Sequence, residues 1–584
     1  MATLADLFNE LITHYQLIVI EAVLVLAAVL LALINPSLGS RWFRAAEQRF
    51  ARFARRRVLS IVTVGLLALA GRAALLPWLP IPNPGTHDEF AYLLAADTFA
   101  SGRLTNPAHP MWIHFESFHI IQQPTYNSMY PVAQSVILAV GKVLFGNPWW
   151  GVWLSVGIMC SALCWMLQGW LPPRWALLGG LLVVVRIALF SYWMNSYMGG
   201  APAAIGGALV LGALPRIIRR PRVLHALIMG TGIVFLANSR PNEGFFTALG
   251  AMTILLVWAL RVRPQFRILL TRVALPLGSV LLLMCLAMGF YFWRVTGNPL
   301  RMPYQVNRNT YATAPVFFFE TPGVEPHYNH AVMRDFYLNW EQALYDKTRS
   351  PKGAFIRTVG KFVTLWFFYF GPALSLPLFM LLRVLRDRRL RLLLIAGAVG
   401  AIGILLPAWL NAHYAAPLMG VFYAVMLQGM RHLRACRWRD KEPGLLLARA
   451  VPLICLLMVP IRIFAGPLHL TAQTDWRSTW AYASPGNNAR AELLKQLEAQ
   501  PSRQLVIVRY RPDHDVHAEW VYNENDIDRA KVVWAREMDT GHNRNLISYF
   551  KDRKIWLLEA DETPPRLSPY PVDSLNAPSA GAIH

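Results

Sequence analysis

Apolar runs recur along this chain between residues 15 and 465, and most end in a cluster of arginines or a short polar turn. A run of about 18 or more residues is long enough to cross a hydrocarbon core as a helix. The pattern predicts about twelve membrane spans, at 15–34, 58–80, 148–169, 174–191, 201–215, 223–238, 243–260, 272–293, 358–383, 391–410, 415–431 and 446–465. Three intervening segments exceed turn length: 82–147, 294–357 and the tail from 466. With the loop after the first span placed in the cytoplasm, all three lie on the exterior side.

In the first of these segments, residues 90–101 read as a short amphipathic helix with Phe90, Leu93, Leu94 and Phe99 on its apolar side. The stretch "YPVAQSVILAVGKVLFG", 130–146, is too short and too punctuated to span, and reads as a helix lying in the interface. Trp149 and Trp150 suit the headgroup level beside it. The tail differs in kind. Its runs "RQLVIVRYR", "AKVVWARE" and "KIWLLEAD" have strand character, and "ARAELLKQLEAQ" and "HNRNLISYFKD" have helical character. Their alternation predicts a small parallel α/β domain. The expected architecture is therefore an α-helical polytopic membrane protein with a small C-terminal α/β extracytoplasmic domain. An extra N-terminal transmembrane helix and basic loop occupy 1–57, the main transmembrane domain 58–465, and the α/β domain 466–584. The Pro/Ser/Ala-rich end of that last domain is expected to be disordered.

Composition agrees with this picture. Hydrophobic residues are 55% of the 584 and charged residues 15%, where a soluble domain carries about 25% charged. The net charge of +23 invites a nucleic-acid reading, but its placement removes it. Nearly all of the excess lies in "RWFRAAEQRFARFARRR", "RIIRRPR", "RVRPQFR", "RVLRDRRLR" and "RHLRACRWRDKE". Cytoplasmic loops of membrane proteins collect Lys and Arg, so no nucleic-acid partner is implied. The three large segments then face the periplasm of a bacterial inner membrane. "MATLADLFNELITHYQ" lacks Lys and Arg, and so lacks the basic start of a cleavable signal; the first span is expected to be retained. The five cysteines, Cys160, Cys164, Cys285, Cys436 and Cys455, fall in spans or a cytoplasmic loop and imply no disulfide framework. Cys160 and Cys164 read as small packing residues.

The chemistry concentrates at His87, Asp88 and Glu89, just past the second span. Acids at an apolar boundary are costly to place and need a reason. One reason is structural: the pair opens the 90–101 helix, where an Asp cap is worth about 0.5–2 kcal/mol and acids complement the helix dipole. Another is chemical: a partly desolvated carboxylate, its pKa raised, takes a proton from an acceptor hydroxyl as a general base. A third is a divalent metal held by the acids and His87; no other cofactor is implied.

"DEFAYLLAADTFASGRL" (88–104) followed by "YPVAQSVILAVGKVLFGNPWWG" (130–151) resembles the first exterior loop of the GT-C superfamily of membrane glycosyltransferases. The protein O-mannosyltransferases and the lipid A aminoarabinose transferases are the most similar in pattern. "SRPNEG" (239–244) is similar to their Arg-containing loop, and "NAHYAAPLMG" (411–420) to their aromatic-Pro entry into a late span. The resemblance covers roughly residues 58–430. It implies a GT-C-like fold, a polyprenyl-phosphate sugar donor, transfer with inversion to a glycan, lipid or protein acceptor, and an essential Asp at Asp88. The chain departs from these relatives at Met129 and Tyr130, where they often carry Lys. It departs again at "SYWMNSYMGG", which offers only Asn195 where some carry an acid.

A departing phosphate needs cations, and Arg binds it bidentately. Arg240, in a very short exterior turn, is the first candidate. Arg301 and Tyr304 in the second long segment, His413 and Tyr414, and Arg186 near the exterior end of its span complete the set. Glu21 and Arg72 are expected to pair and tie the extra helix to the rest. In the tail, Asp513, His514, Asp515 and His517 follow a strand and are candidate metal ligands. Rival readings are a membrane transporter, a structural subunit, and an oligosaccharyltransferase or ligase. A transporter favours repeated halves and a polar midplane, and neither is evident here.

Overall fold

The computed structural model describes residues 13–437, 441–470, 479–482 and 486–571. Most of the N-terminal segment and the Pro/Ser/Ala-rich end lie outside the described residues. Each of the twelve expected spans falls on a helical segment. Among the described residues eight helices are long and apolar enough to cross a membrane, from Gln16–Ile34 to Pro443–Ile463; Val223–Ala237 and Arg391–Leu405 are shorter apolar helices. The chain is a multi-pass membrane protein.

Side-chain size decides which helices are central. Ala201–Arg219, rich in Ala and Gly, is 83% buried, whereas the Leu-rich stretch Phe266–Thr296 is 11% buried and lies outermost. Small residues let backbones approach without help from the hydrophobic effect. At Gly207 a Cβ would collide with the Pro417 carbonyl, so this glycine sets how deeply the segment Ala412–Leu418 can sit.

The expected Glu21–Arg72 pair does not form. Glu21 accepts instead from Arg186 Nη1 at 2.9 Å, from the Ala373 N–H at 2.9 Å and from Trp480 Nε1 at 3.1 Å. Arg186 also donates to the Phe370 carbonyl at 2.9 Å and lies 4.4 Å from the Trp480 ring centre. Both charged side chains are fully buried. In an apolar interior an ion pair holds its charges best when hydrogen bonds satisfy them as well, and this pairing supplies both. Arg72 finds neutral partners: its Nε donates to Asn195 Oδ1 at 2.9 Å, and its guanidinium lies 4.8 Å from the Trp149 ring centre.

At the Asp88 end of the bundle, helix His87–Ala100 packs against helix Ala133–Phe145, which keeps Val136, Val140, Val143, Leu144 and Phe145 exposed. Strands β1 (Asn106–Pro107), β2 (Ile120–Ile121) and β3 (Thr125–Ser128) form a small antiparallel sheet in the order β1-β3-β2. The tail builds a second sheet from β4 (Arg503–Arg509), β5 (Val532–Arg536), β6 (Arg553–Glu559) and β7 (Arg566–Pro569), in the order β5-β4-β6-β7. The first three are parallel, as the strand-helix alternation predicts; β7, an antiparallel edge, was not foreseen. This sheet shares a core with the first exterior segment, where Phe90 stacks on Tyr522 at 4.2 Å. All five cysteines are free.

Removing one partner of a buried ion pair leaves an uncompensated charge and costs about 3–5 kcal/mol. Glu21→Ala should therefore lower the thermal midpoint in detergent sharply. The double variant Glu21→Ala/Arg186→Met should lose less than the two single losses combined, which a double-mutant cycle of melting curves checks.

Candidate active site

Helix His87–Ala100 begins with a capping box. Thr86 is its N-cap, and the Glu89 carboxylate reaches back to accept the Thr86 N–H at 3.0 Å and the Gly85 N–H at 2.8 Å. Its other oxygen accepts the Tyr197 N–H at 2.8 Å. Glu89 is thus fully occupied with backbone donors, and it ties the segment 189–200 to the start of this helix. Asn195 is used in the same way: its amide donates to the Leu189 and Ser191 carbonyls while its oxygen takes Arg72.

Asp88, one residue earlier, does something different. Its Oδ1 accepts from the Tyr130 hydroxyl and lies 2.8 Å from His119 Nδ1, which is in turn 2.9 Å from the same hydroxyl. Among the described residues no bond falls on Oδ2, and the side chain is 22% accessible. Burial pushes the carboxyl pKa up, as the sequence suggests, but the His119 bond and charge and the Tyr130 bond outweigh it. Asp88 is held below the usual carboxylate range and stays ionised, which corrects the expected raised pKa. His119 adopts φ 62°, a left-handed backbone that costs energy for a residue with a Cβ. The strained turn is what aims its ring at Asp88.

His87 lies edge-on to Phe118, His119 and Phe336, with its Nε2 3.3 Å from His517 Nδ1 of the tail. Its Nδ1 is buried without a partner among the described residues. Burial, then the charge of His119, holds its pKa down to about 3, so it is neutral at physiological pH. His87, Asp88 and His119 offer ligand atoms within 4.8 Å of one another, an arrangement able to hold a metal ion. The four tail candidates do not converge: Asp513 bonds Arg511, His514 bonds Asp561, Asp515 accepts the His517 N–H, and His517 meets His87.

A second group lies beside Asp88. Tyr130 stacks on Tyr92 at 4.7 Å, and the Arg240 guanidinium lies 4.0 Å from the Tyr414 ring centre. Tyr414 is within electrostatic reach of Arg240, Tyr304 and Asp88 together, and His413 of Arg240 and Asp88. Arg240 is the N-cap of helix Pro241–Val262, so the free N–H groups and positive dipole end of that helix stand at the same point. The structure thus gathers His87, Asp88, Arg240, Tyr304, His413 and Tyr414. It places Glu89, Asn195 and Arg186 in structural bonds, and Arg301 on an exposed turn. Sequence reasoning missed His119 and Tyr92 and noticed Tyr130 only as a departure. An ionisable residue inside the apolar "FESFHIIQQ" was the available signal for His119.

No family model matches the chain, and no curated protein matches it. It is similar to solved structures. One is the oligosaccharyltransferase AglB of Archaeoglobus fulgidus in complex with an inhibitory peptide and a dolichol-phosphate: TM-score 0.46, 12% identity, 78% of this chain and 62% of that one covered. Another is ArnT of Cupriavidus metallidurans bound to undecaprenyl phosphate: TM-score 0.45, 14% identity, 86% and 93% covered. The chain therefore spans about 62% of the length of the archaeal oligosaccharyltransferase that it matches.

The layer around Asp88 is pH-sensitive. Burial, then the charge of Arg536, holds His330 down from its ordinary 6.5 to about 3, and its Nε2 is 2.6 Å from the Ile113 carbonyl. Between those values the unfolded chain binds a proton that the folded chain refuses. This stability is complete above the ordinary value and is lost as pH falls. By this linkage, acidifying to about pH 5 should cost about 2 kcal/mol through His330 alone. Melting curves against pH check it, and His330→Gln should flatten their acid side.

Proposed function

We propose that this chain is an inverting GT-C-type glycosyltransferase that moves a sugar from a polyprenyl-phosphate donor to an acceptor hydroxyl at the exterior, periplasmic face of the membrane. The observation that carries the reading is the Asp88 carboxylate, held ionised by His119 and Tyr130 and partly open, in the same electrostatic neighbourhood as Arg240 and Tyr414. The resemblance of 88–104 and 130–151 to the GT-C first loop supports it.

In this reading the acceptor hydroxyl hydrogen-bonds the free oxygen of Asp88. Its oxygen attacks the anomeric carbon, the bond from that carbon to the phosphate oxygen breaks on the opposite side, and the hydroxyl proton passes to Asp88. The lipid phosphate leaves with the electron pair and is met by Arg240 and the dipole of helix Pro241–Val262. A carboxylate with a depressed pKa is a weak base, so proton transfer is late. Much of its effect is electrostatic, toward the positive charge that develops at the anomeric carbon. Tyr304, His413, Tyr414 and neutral His87 line the approach, and the tail domain covers it through His517. Glu89 acts as a positioning residue. Membrane lipids and the donor's isoprenoid share the apolar flank, and the acceptor is a glycan, lipid or protein.

Removing a base or an electrostatic stabiliser costs about 10²–10⁴-fold in rate. Cells carrying Asp88→Asn as their sole copy should accumulate the polyprenyl-phosphate sugar, seen by mass spectrometry of extracted lipids, while the purified variant keeps the wild-type melting temperature. A variant that melts normally and restores wild-type lipid levels would falsify the proposal.

A second reading gives the His87–Asp88–His119 group a divalent metal, favoured by the orphan Nδ1 of His87. A metal there would supply positive charge near the leaving group. The two readings part on chelation. The first expects transfer to survive EDTA treatment; the second expects chelation to stop it, and purified protein to carry metal that His119→Ala loses, read by elemental analysis.

A further inference from the structure

On the face opposite Asp88, where helices Trp149–Trp170 and Met419–Arg434 end and Pro173–Val183 begins, there is a cleft of about 390 Å³. Arg174, Arg389, Arg431 and Arg434 line it, together with Trp175 and a lone carboxylate, Asp387. That carboxylate is already engaged: it accepts the Arg389 backbone N–H at 2.9 Å, is bonded by Gln428, and lies 3.3 Å from His432 Nε2. Arg434 is neutralised by Glu47, with both contacts at 2.9 Å. Among the described residues Arg174, Arg389 and Arg431 form no ion pair, yet Arg431 is within electrostatic reach of the other two. Arg431 also donates to Gln428 Oε1 at 2.7 Å and lies within electrostatic reach of Asp387, yet one engaged carboxylate among these guanidiniums leaves an excess of positive charge that an anion would offset. A second sign points the same way. Trp175, which lines the cleft, is 5% exposed, and its indole N–H has no acceptor among the described residues. A buried donor left unmade is costly.

We propose that this cleft binds the phosphate of an anionic phospholipid in the leaflet opposite the Asp88 site. Guanidinium forks match phosphate oxygens bidentately, and the indole N–H is a further donor. Depth argues for a lipid rather than a soluble anion. The cleft sits at the ends of membrane helices, where headgroup phosphates lie and where basic pockets between helices hold them. The chain just before Asp387 carries Phe379, Leu382 and Leu385, exposed by 80%, 70% and 54%, a surface suited to acyl chains. This site is independent of the glycosyl-transfer reading.

Native mass spectrometry of the full-length protein in detergent tests it with three probes: phosphatidylglycerol, phosphatidylcholine and inorganic phosphate. Phosphatidylglycerol should remain bound and zwitterionic phosphatidylcholine should not. Arg174→Gln/Arg389→Gln should weaken retention by about tenfold or more, the worth of one or two charge-assisted contacts. Both side chains are exposed, so the fold does not depend on them. Arg267→Gln, exposed on the same face outside the cleft, should bind as wild type. Retention of inorganic phosphate in place of the lipid would overturn the lipid assignment. Equal retention of both lipids, or lipid binding unchanged in the double variant, would overturn the site.

Discussion

The face that carries Asp88 depends on the one carboxylate beside it, which is taken up by backbone donors. Glu89 gathers three backbone N–H groups, two from its own helix start and one from Tyr197 across the interior. Backbone donors cannot move away as side chains can, so the bond fixes both the direction of helix His87–Ala100 and the position of segment 189–200. Asp88 is one residue earlier on that helix, about 100° round its axis. Its aim therefore follows from Glu89. The adjacent acids divide two tasks that a single residue cannot perform together: a carboxylate saturated with donors is rigid, and one with an open oxygen is reactive.

The same economy governs the buried arginines. Water cannot reach them, so each is met by a specific combination of charge, carbonyl and ring face. Arg186 takes Glu21, the Phe370 carbonyl and Trp480, which joins the first helix, the 371–375 turn and the start of the tail. Gly371 is required there: it holds φ 61°, and a Cβ would press on Arg186 Nη2 at 2.5 Å. The tail domain is thereby anchored at two levels, at Trp480 within the bundle and through the core it shares with Phe90, Phe115 and Tyr126 above it. Arg536 completes the upper anchor by donating to the Glu116 carbonyl at 2.7 Å and to Glu519 at 2.6 Å.

Charge is thus distributed by role. At one face a carboxylate kept ionised stands in the same electrostatic neighbourhood as Arg240, which caps a helix N-terminus. At the opposite face Arg174, Arg389, Arg431 and Arg434 line one cleft together with Asp387. Between the two lies a bundle whose central helix is built of Ala and Gly. Its small residues let the neighbouring helices pack closely around it.

The helical spans, the short helix at 133–145 and three of the four tail strands were legible in the sequence, because each follows from local periodicity and from the cost of exposing backbone to hydrocarbon. The acid pair was legible as a site for the same reason: charge at an apolar boundary is conspicuous. What each acid does was not. Whether Glu89 or Asp88 is saturated depends on Tyr197, His119 and Tyr130, residues 108, 31 and 42 positions from their partners, and no local pattern encodes those meetings. The Glu21 pairing failed for the same reason. Arg72 and Arg186 sit at similar depth in similar helices, and only three-dimensional packing decides which guanidinium reaches a buried carboxylate. The sequence by itself determined which residues must leave water and which must stay at its edge; the tertiary structure alone decided their partners, because a buried charge is satisfied by geometry across the chain rather than by its neighbours along it.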